Sequence, residues 1–222
     1  MYGGPHAQTV VAAPSAYLLQ QWIADHGFII VSVDGRGTPA RGRSWERALK
    51  GNLIDIPLGD QVAGLKALGR KYRELDLDRV GIYGWSFGGY FSAIAVMRRP
   101  DVFDVGVAGA PVAEWLDYDT HYTERYLGMP DEEVHAYARY RLLDDAPNLS
   151  RPLMLIHGIA DDNVYVANTL QLSRCLMEAG RPHTVLPLSG ITHAPMNPQV
   201  AENLLLLQVR FIRDALGLPD PT

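Results

Sequence analysis

The decapeptide GIYGWSFGGY at residues 81–90 sets one serine, Ser86, between a glycine two residues before it and glycines two and three residues after it, behind an apolar run. A Gly-x-Ser-x-Gly pentapeptide where a strand becomes a helix is a nucleophile elbow. The turn is too sharp for side chains at the flanking positions, so Gly84 and Gly88 leave room and the hydroxyl is held out above the sheet. A serine hydroxyl is a weak nucleophile at neutral pH, so this reading requires a histidine base and a carboxylate to orient it. Behind such an elbow the expected order is serine, acid, histidine. LIHGIADDNV supplies Asp161 and Asp162, adjacent residues of which only one can face the imidazole, and LSGITHAP supplies His193. Of the seven histidines, His6 precedes the serine and has the wrong order. His26, His121 and His135 fall in or beside predicted helices, while His157 and His183 close and open strands. His193 is left as the base.

These residues need a scaffold, and the hydrophobic pattern predicts one. FIIVSVDGRG (28–37), RVGIYG (79–84), VGVAGA (105–110), PLMLIHG (152–158) and HTVLPL (183–188) read as short buried strands. Between most of them lie helical patterns: PSAYLLQQWIADHG, LGDQVAGLKALGRKY, GGYFSAIAVMRR, VYVANTLQLSRCLMEAG and, last, VAENLLLLQVRFIRDALG. Alternating strands and helices predict a parallel sheet covered by helices. Ser86, the Asp161–Asp162 pair and His193 each follow a predicted strand, at the carboxyl edge where open parallel sheets place their sites. Asp34 and Arg36, flanked by glycines in DGRG, read as a structural loop.

Composition narrows the function classes. With 47% hydrophobic and 20% charged residues among 222, the chain has the profile of one globular domain with a sizeable core. A formal net charge of -5 offers no broad basic surface and argues against nucleic acid as a partner. Cys175 is the lone cysteine, so no intrachain disulfide forms, and its place in an apolar helical pattern reads as packing. No apolar run reaches the roughly 18 residues of a membrane span, and no basic-then-apolar leader is expected. The compartment is left open.

Several motifs then occur in order: YGGPH (2–6), DGRG (34–37), GWSFGGY (84–90), YTERYLG (122–128) and HGIADDNV (157–164). On these, nearly the whole chain resembles the C-terminal catalytic domain of the prolyl oligopeptidase family of serine peptidases, in its dipeptidyl peptidase IV branch. The resemblance implies an α/β-hydrolase fold, a mostly parallel sheet with helices on both faces, over residues 1–222. It selects Asp161 as the acid, completing a Ser86, Asp161, His193 triad. The backbone N–H of Phe87, which follows the nucleophile, is one oxyanion donor. The resemblance gives the second to the hydroxyl of Tyr2. It also implies a proline-sized pocket at Phe87, Val112, Trp115, Tyr118, Tyr122 and Val164, apolar and aromatic because a pyrrolidine ring has little to hydrogen-bond. Asn163 matches a residue that hydrogen-bonds a substrate carbonyl in relatives, and Arg125 is placed in the same region. Without the resemblance, Trp115, Tyr118 and Tyr122 fit a core stripe at helical spacing.

The implied activity is hydrolysis of peptide bonds after proline or alanine near a peptide's N-terminus, with no metal or organic cofactor. An ester hydrolase on the same triad and an inactive assembly module are the alternatives. The resemblance implies a β-propeller whose acidic residues grip the substrate's free amino terminus in relatives, and no such segment is expected within residues 1–222. The first strands of the fold, including the one that should run into YGGP, are expected to be missing, which leaves a truncated sheet edge. Docking to a β-propeller or a partner subunit, or a homo-oligomer, is therefore left open.

Overall fold

A computed structural model describes residues 1–219. After a short 3-10 turn at Pro14–Tyr17 come α1 (Leu18–Ala24), α2 (Arg43–Glu46) and α3 (Asp55–Lys71). The sheet and its crossovers follow as β1 (Gly81–Trp85), α4 (Phe87–Arg98), β2 (Val105–Gly109), α5 (Thr120–Leu127) and α6 (Val134–Tyr140). The chain continues through β3 (Leu153–Gly158), α7 (Ala167–Glu178), β4 (Thr184–Leu188) and α8 (Pro198–Ala215).

The four strands form one sheet in the order β1-β2-β3-β4, every pair parallel. Gly81 lies opposite Val105, Gly106 opposite Leu153 and Met154 opposite Thr184. β2 and β3 are buried at every position. Their continuous apolar runs are what a strand covered on both faces requires. One face carries α4, buried from Phe87 to Met97, and joins the large core that includes Ile82, Ile94, Leu153 and Leu155. On the other, Leu204, Phe211 and Ile212 of α8 pack against Val107, Met154 and Ile156. This is the layered architecture expected of an α/β-hydrolase. Beyond Met97, Arg98 forks onto Asp145 and reaches Asp55, which fixes the far end of the helix that begins at the nucleophile elbow.

The segment FIIVSVDGRG departs from expectation. Residues 28–35 carry no helix or strand assignment, and they pair in no ladder. Hydrogen-bonded strands lie about 4.8 Å apart, whereas a cavity of about 530 Å³ has residues 28–33 among its walls and Gly81 to Tyr83 of β1 as well. The β-branched run suits a strand, but the neighbour that would make it one is not beside it. Asp34 and Arg36 do act structurally, though not on each other. Asp34 accepts from Thr9 N–H, Thr9 Oγ1 and Val10 N–H, and Arg36 forks onto Asp60. No helix among the described residues is long and apolar enough to cross a membrane.

Candidate active site

Ser86 sits between β1 and α4 with φ 59° and ψ -120°, a conformation that costs a non-glycine residue energy and persists only where its surroundings impose it. Those surroundings are backbone. A Cβ on Gly84 would lie 2.4 Å from the Gly88 oxygen, one on Gly88 2.2 Å from the Met1 oxygen, and one on Gly89 2.1 Å from the Gly109 oxygen. The Gly-x-Ser-x-Gly-Gly spelling is thus a record of close approach on three sides. Ser86 N–H donates to Gly109 at 2.8 Å, and the Ser86 carbonyl receives Tyr90 N–H at 3.0 Å to start α4. Phe87 is the first residue of that helix, so its N–H is among the amides that a helix start leaves free, at the positive end of the helix dipole.

Asp161 and His193 meet. Asp161, 4% exposed, lies three residues beyond β3. One carboxylate oxygen accepts from Asn163 N–H and Val164 N–H, each at 2.9 Å, and the other contacts His193 Nδ1 at 2.8 Å. Asp162 is exposed. The carboxylate places the imidazole proton on Nδ1 and leaves Nε2 with its lone pair. Backbone contacts bring the histidine loop to this edge: Ala160 N–H donates to Ile191, and a Cβ on Gly158 would fall 2.1 Å from the Thr192 oxygen. Trp85, the residue before Ser86, donates its indole N–H to the His193 carbonyl at 2.5 Å. The serine elbow and the His193 loop are so tied together, although no hydrogen bond joins Ser86 Oγ to His193 among the described residues.

Two contributors carried no signal of their own in the sequence. His157, expected only to close a strand, is buried beside Asp161, with Nδ1 2.7 Å from Thr169 Oγ1 and Nε2 2.7 Å from the Val164 carbonyl. Its Nε2 also lies 3.3 Å from Asp161 Oδ2. Burial, with a smaller contribution from His193, pulls its pKa below the ordinary histidine value. Trp85 is the second, since an indole 108 residues from the loop it holds has no local signature.

Around the elbow the aromatic residues form one cluster. Tyr2 lies against Phe87 with ring centroids 5.7 Å apart; Trp115 is 6.1 Å from Phe87 and stacks on Tyr122 at 6.3 Å. Tyr118 meets both Trp115 and Tyr122 edge-on. Trp115 is 1% and Val112 2% exposed, and Val164 is fully buried, so these three belong to the core as much as to any pocket. The loop carrying Val112 is held by Asn168 of α7, whose side-chain oxygen accepts from Ala113 N–H and Glu114 N–H. Asn163 accepts from the Tyr118 hydroxyl at 3.2 Å. Arg125 is exposed and lies over the Tyr126 ring at 5.9 Å. Burial first, then Tyr118, raises the Tyr2 pKa, and burial drives that of Tyr122 far up. Both hydroxyls are therefore protonated donors at neutral pH, and Tyr122 Oη is buried with no hydrogen-bond partner. His6, set aside by its order, holds the start of the chain against α5 through a 2.7 Å contact between its Nε2 and Tyr126 Oη.

A parallel sheet covered on both faces, with a serine elbow after one strand and an Asp–His pair after later ones, defines the α/β-hydrolase class. The sequence profile of the prolyl oligopeptidase family matches residues 14–219. Human dipeptidyl peptidase 8 is 39% identical over 98% of this chain and 25% of its own length. Mouse prolyl endopeptidase FAP is 30% identical over 99% of this chain and 29% of its own length. The crystal structure of a provisionally assigned dipeptidyl aminopeptidase IV from Bacteroides ovatus superposes with a TM-score of 0.91 at 30% identity, over 96% of this chain and 30% of that one. The chain belongs to the prolyl oligopeptidase family. It spans about a quarter of the length of the curated relatives it matches.

Proposed function

We propose that residues 1–222 form the catalytic domain of a serine peptidase that cleaves after proline or alanine near the N-terminus of peptides. Ser86 Oγ attacks the carbonyl carbon as its proton passes to His193 Nε2, and Asp161 stabilises the imidazolium that results. The oxyanion accepts from Phe87 N–H and the Tyr2 hydroxyl. Collapse breaks the peptide bond as His193 gives its proton to the leaving amine, and water then releases the acyl group by the same steps. The observation that carries this reading is the buried Asp161 bonded to His193 Nδ1, on a loop tied by Trp85 to the serine elbow. The neighbours' names supply the substrate class: one is a dipeptidyl peptidase, one a dipeptidyl aminopeptidase and one a prolyl endopeptidase. The aromatic walls at Tyr118 and Tyr122 favour a proline ring over a short-chain ester as the group bound.

The test is labelling with a fluorophosphonate, which reacts only with an activated serine, combined with turnover of Gly-Pro-anilide and of short nitrophenyl esters. Labelling is expected in the parent chain and absent in Ser86→Ala. Undiminished labelling of the alanine variant would remove Ser86 as nucleophile, and turnover of esters alone would assign an ester hydrolase.

A further inference from the structure

Asn168 and Thr169, in the first turn of α7, are both fully buried, and their side chains serve different segments around the site. Asn168 holds the Ala113 and Glu114 amides. Thr169 reaches β3, where its Oγ1 lies 2.7 Å from Nδ1 of His157, a residue only 1% exposed. The other ring nitrogen, Nε2, faces the Val164 carbonyl at 2.7 Å and Asp161 Oδ2 at 3.3 Å. A carbonyl can only accept, so Nε2 carries a proton. Burial disfavours a second proton on the ring. Nδ1 therefore keeps its lone pair, and the hydrogen bond there is donated by the Thr169 hydroxyl. Donation runs one way, from Thr169 to His157 and from His157 to Val164.

The Val164 carbonyl closes the turn that carries the acid. At its start this turn is tied by backbone, with Ala160 N–H on Ile191 and Asp161 N–H on Gly158. Within it, Asn163 N–H and Val164 N–H both donate to Asp161 Oδ1. A carboxylate held by amides of its own turn moves whenever the turn moves, so its place needs an anchor outside the turn. His157 is that anchor at the far end, because it stands on β3, opposite Pro187 of β4 and buried between neighbours.

We propose that His157 is a positioning residue for the acid: fixed in its Nε2–H tautomer by Thr169, it clamps the turn 161–164 and so keeps the Asp161 carboxylate on His193. This rests on the reading of Ser86, Asp161 and His193 as a triad, and it adds what makes the acid rigid. The tautomer is essential to the clamp. With the proton on Nδ1, a ring lone pair would face the Val164 carbonyl and the carboxylate, and both contacts would turn repulsive. The same turn carries Asn163 and Val164, so the clamp also fixes two residues of the proposed substrate site. Misplacing a reacting group by about 1 Å can cost about 10²-fold in rate, which makes a rigid turn worth two buried polar side chains.

The test uses the chain with nitrogen-labelled histidines, observed by NMR at about pH 8, above the ordinary histidine pKa. His157 is expected to carry its single ring proton on Nε2; the Nδ1–H tautomer, or a doubly protonated ring, overturns the proposal. Two variants then separate clamping from bulk packing. His157→Met fills the space and cannot donate, whereas His157→Gln places an amide N–H near the position of Nε2. In the folded methionine variant the His193 Nδ1–H proton resonance is expected to be lost to solvent exchange, and fluorophosphonate labelling per folded molecule to slow by about 10²-fold. Glutamine is expected to restore both, and a glutamine variant no better than methionine overturns the proposal. A lower Tm with the resonance and the labelling rate per folded molecule unchanged also overturns it, since that is the result of packing alone. If the methionine variant does not fold, Thr169→Val decides: it removes the hydroxyl and is expected to admit the Nδ1–H tautomer of His157 and weaken the His193 resonance, and a parent-like spectrum overturns the proposal. A parent chain that is never labelled removes Ser86 as nucleophile, and the His157 tautomer and the His193 resonance still decide the clamp.

Discussion

Asp161 and Asp162 are neighbours in sequence with opposite surroundings. Asp161 is buried, with one oxygen held by two backbone amides and the other on His193, while Asp162 is exposed. Asp161→Asn is therefore expected to lower turnover on the order of 10⁴-fold by upsetting the imidazole tautomer, and Asp162→Asn to leave it nearly unchanged. Equal losses would show that the wrong carboxylate was chosen. His157 makes a different prediction. Burial disfavours its imidazolium, so its folded pKa lies below the unfolded one and the unfolded chain takes up the proton first as pH falls. This contribution is complete above the ordinary histidine pKa and is lost as pH falls from there through the lowered folded value. The denaturation midpoint should begin to drop as pH falls past the ordinary histidine pKa of about 6.5, and less steeply in His157→Gln. Parallel pH profiles for the two chains would remove His157 as the cause.

Among the elements, α5 and the loop before it are where the sequence reading and the packing differ in emphasis. Tyr118 and Tyr122 touch Trp115, which is core, yet both are only half-buried and they reach towards Tyr2 and Asn163. A pocket wall predicts that Tyr118→Ala and Tyr122→Ala reduce Gly-Pro-anilide turnover more than ester turnover. Truncating a packed aromatic also costs about 3–5 kcal/mol of stability, so circular dichroism must confirm folding. Proportional loss of both activities in folded variants would assign the tyrosines to the core. The elbow is simpler, because its glycines are required by backbone oxygens that cannot yield as a flexible side chain does.

For the molecule as a whole, the site joins residues from both ends of the described chain, with Tyr2 packed against Phe87 and the Met1 amine donating to the Tyr83 carbonyl. Loss of one oxyanion donor costs about 10²- to 10³-fold in rate. On the role proposed for Tyr2, Tyr2→Phe is expected to lower Gly-Pro-anilide turnover by about that factor, with folding checked by circular dichroism. Comparable kcat/KM in the two chains would remove the Tyr2 hydroxyl as a donor.

How much of this was legible in the chain depends on the range of the forces involved. β1 to β4, the long helices and the elbow were readable because apolar periodicity and glycine spacing act over a few residues. Ser86, the Asp161–Asp162 pair and His193 could be picked out as candidates from motif order, since each sits in its own strand-to-loop junction, while the choice of Asp161 came from the family resemblance. The segment at 28–37 was misread as a strand: its β-branched run suits one, but pairing depends on a partner from elsewhere, and residues 28–33 line a cavity instead. Likewise the indole that holds His193 and the Tyr126 contact of His6 join residues far apart in sequence. Local pattern carries the elements and the reactive side chains; only packing brings distant groups within hydrogen-bond reach, because that distance is set by the fold and by no segment alone.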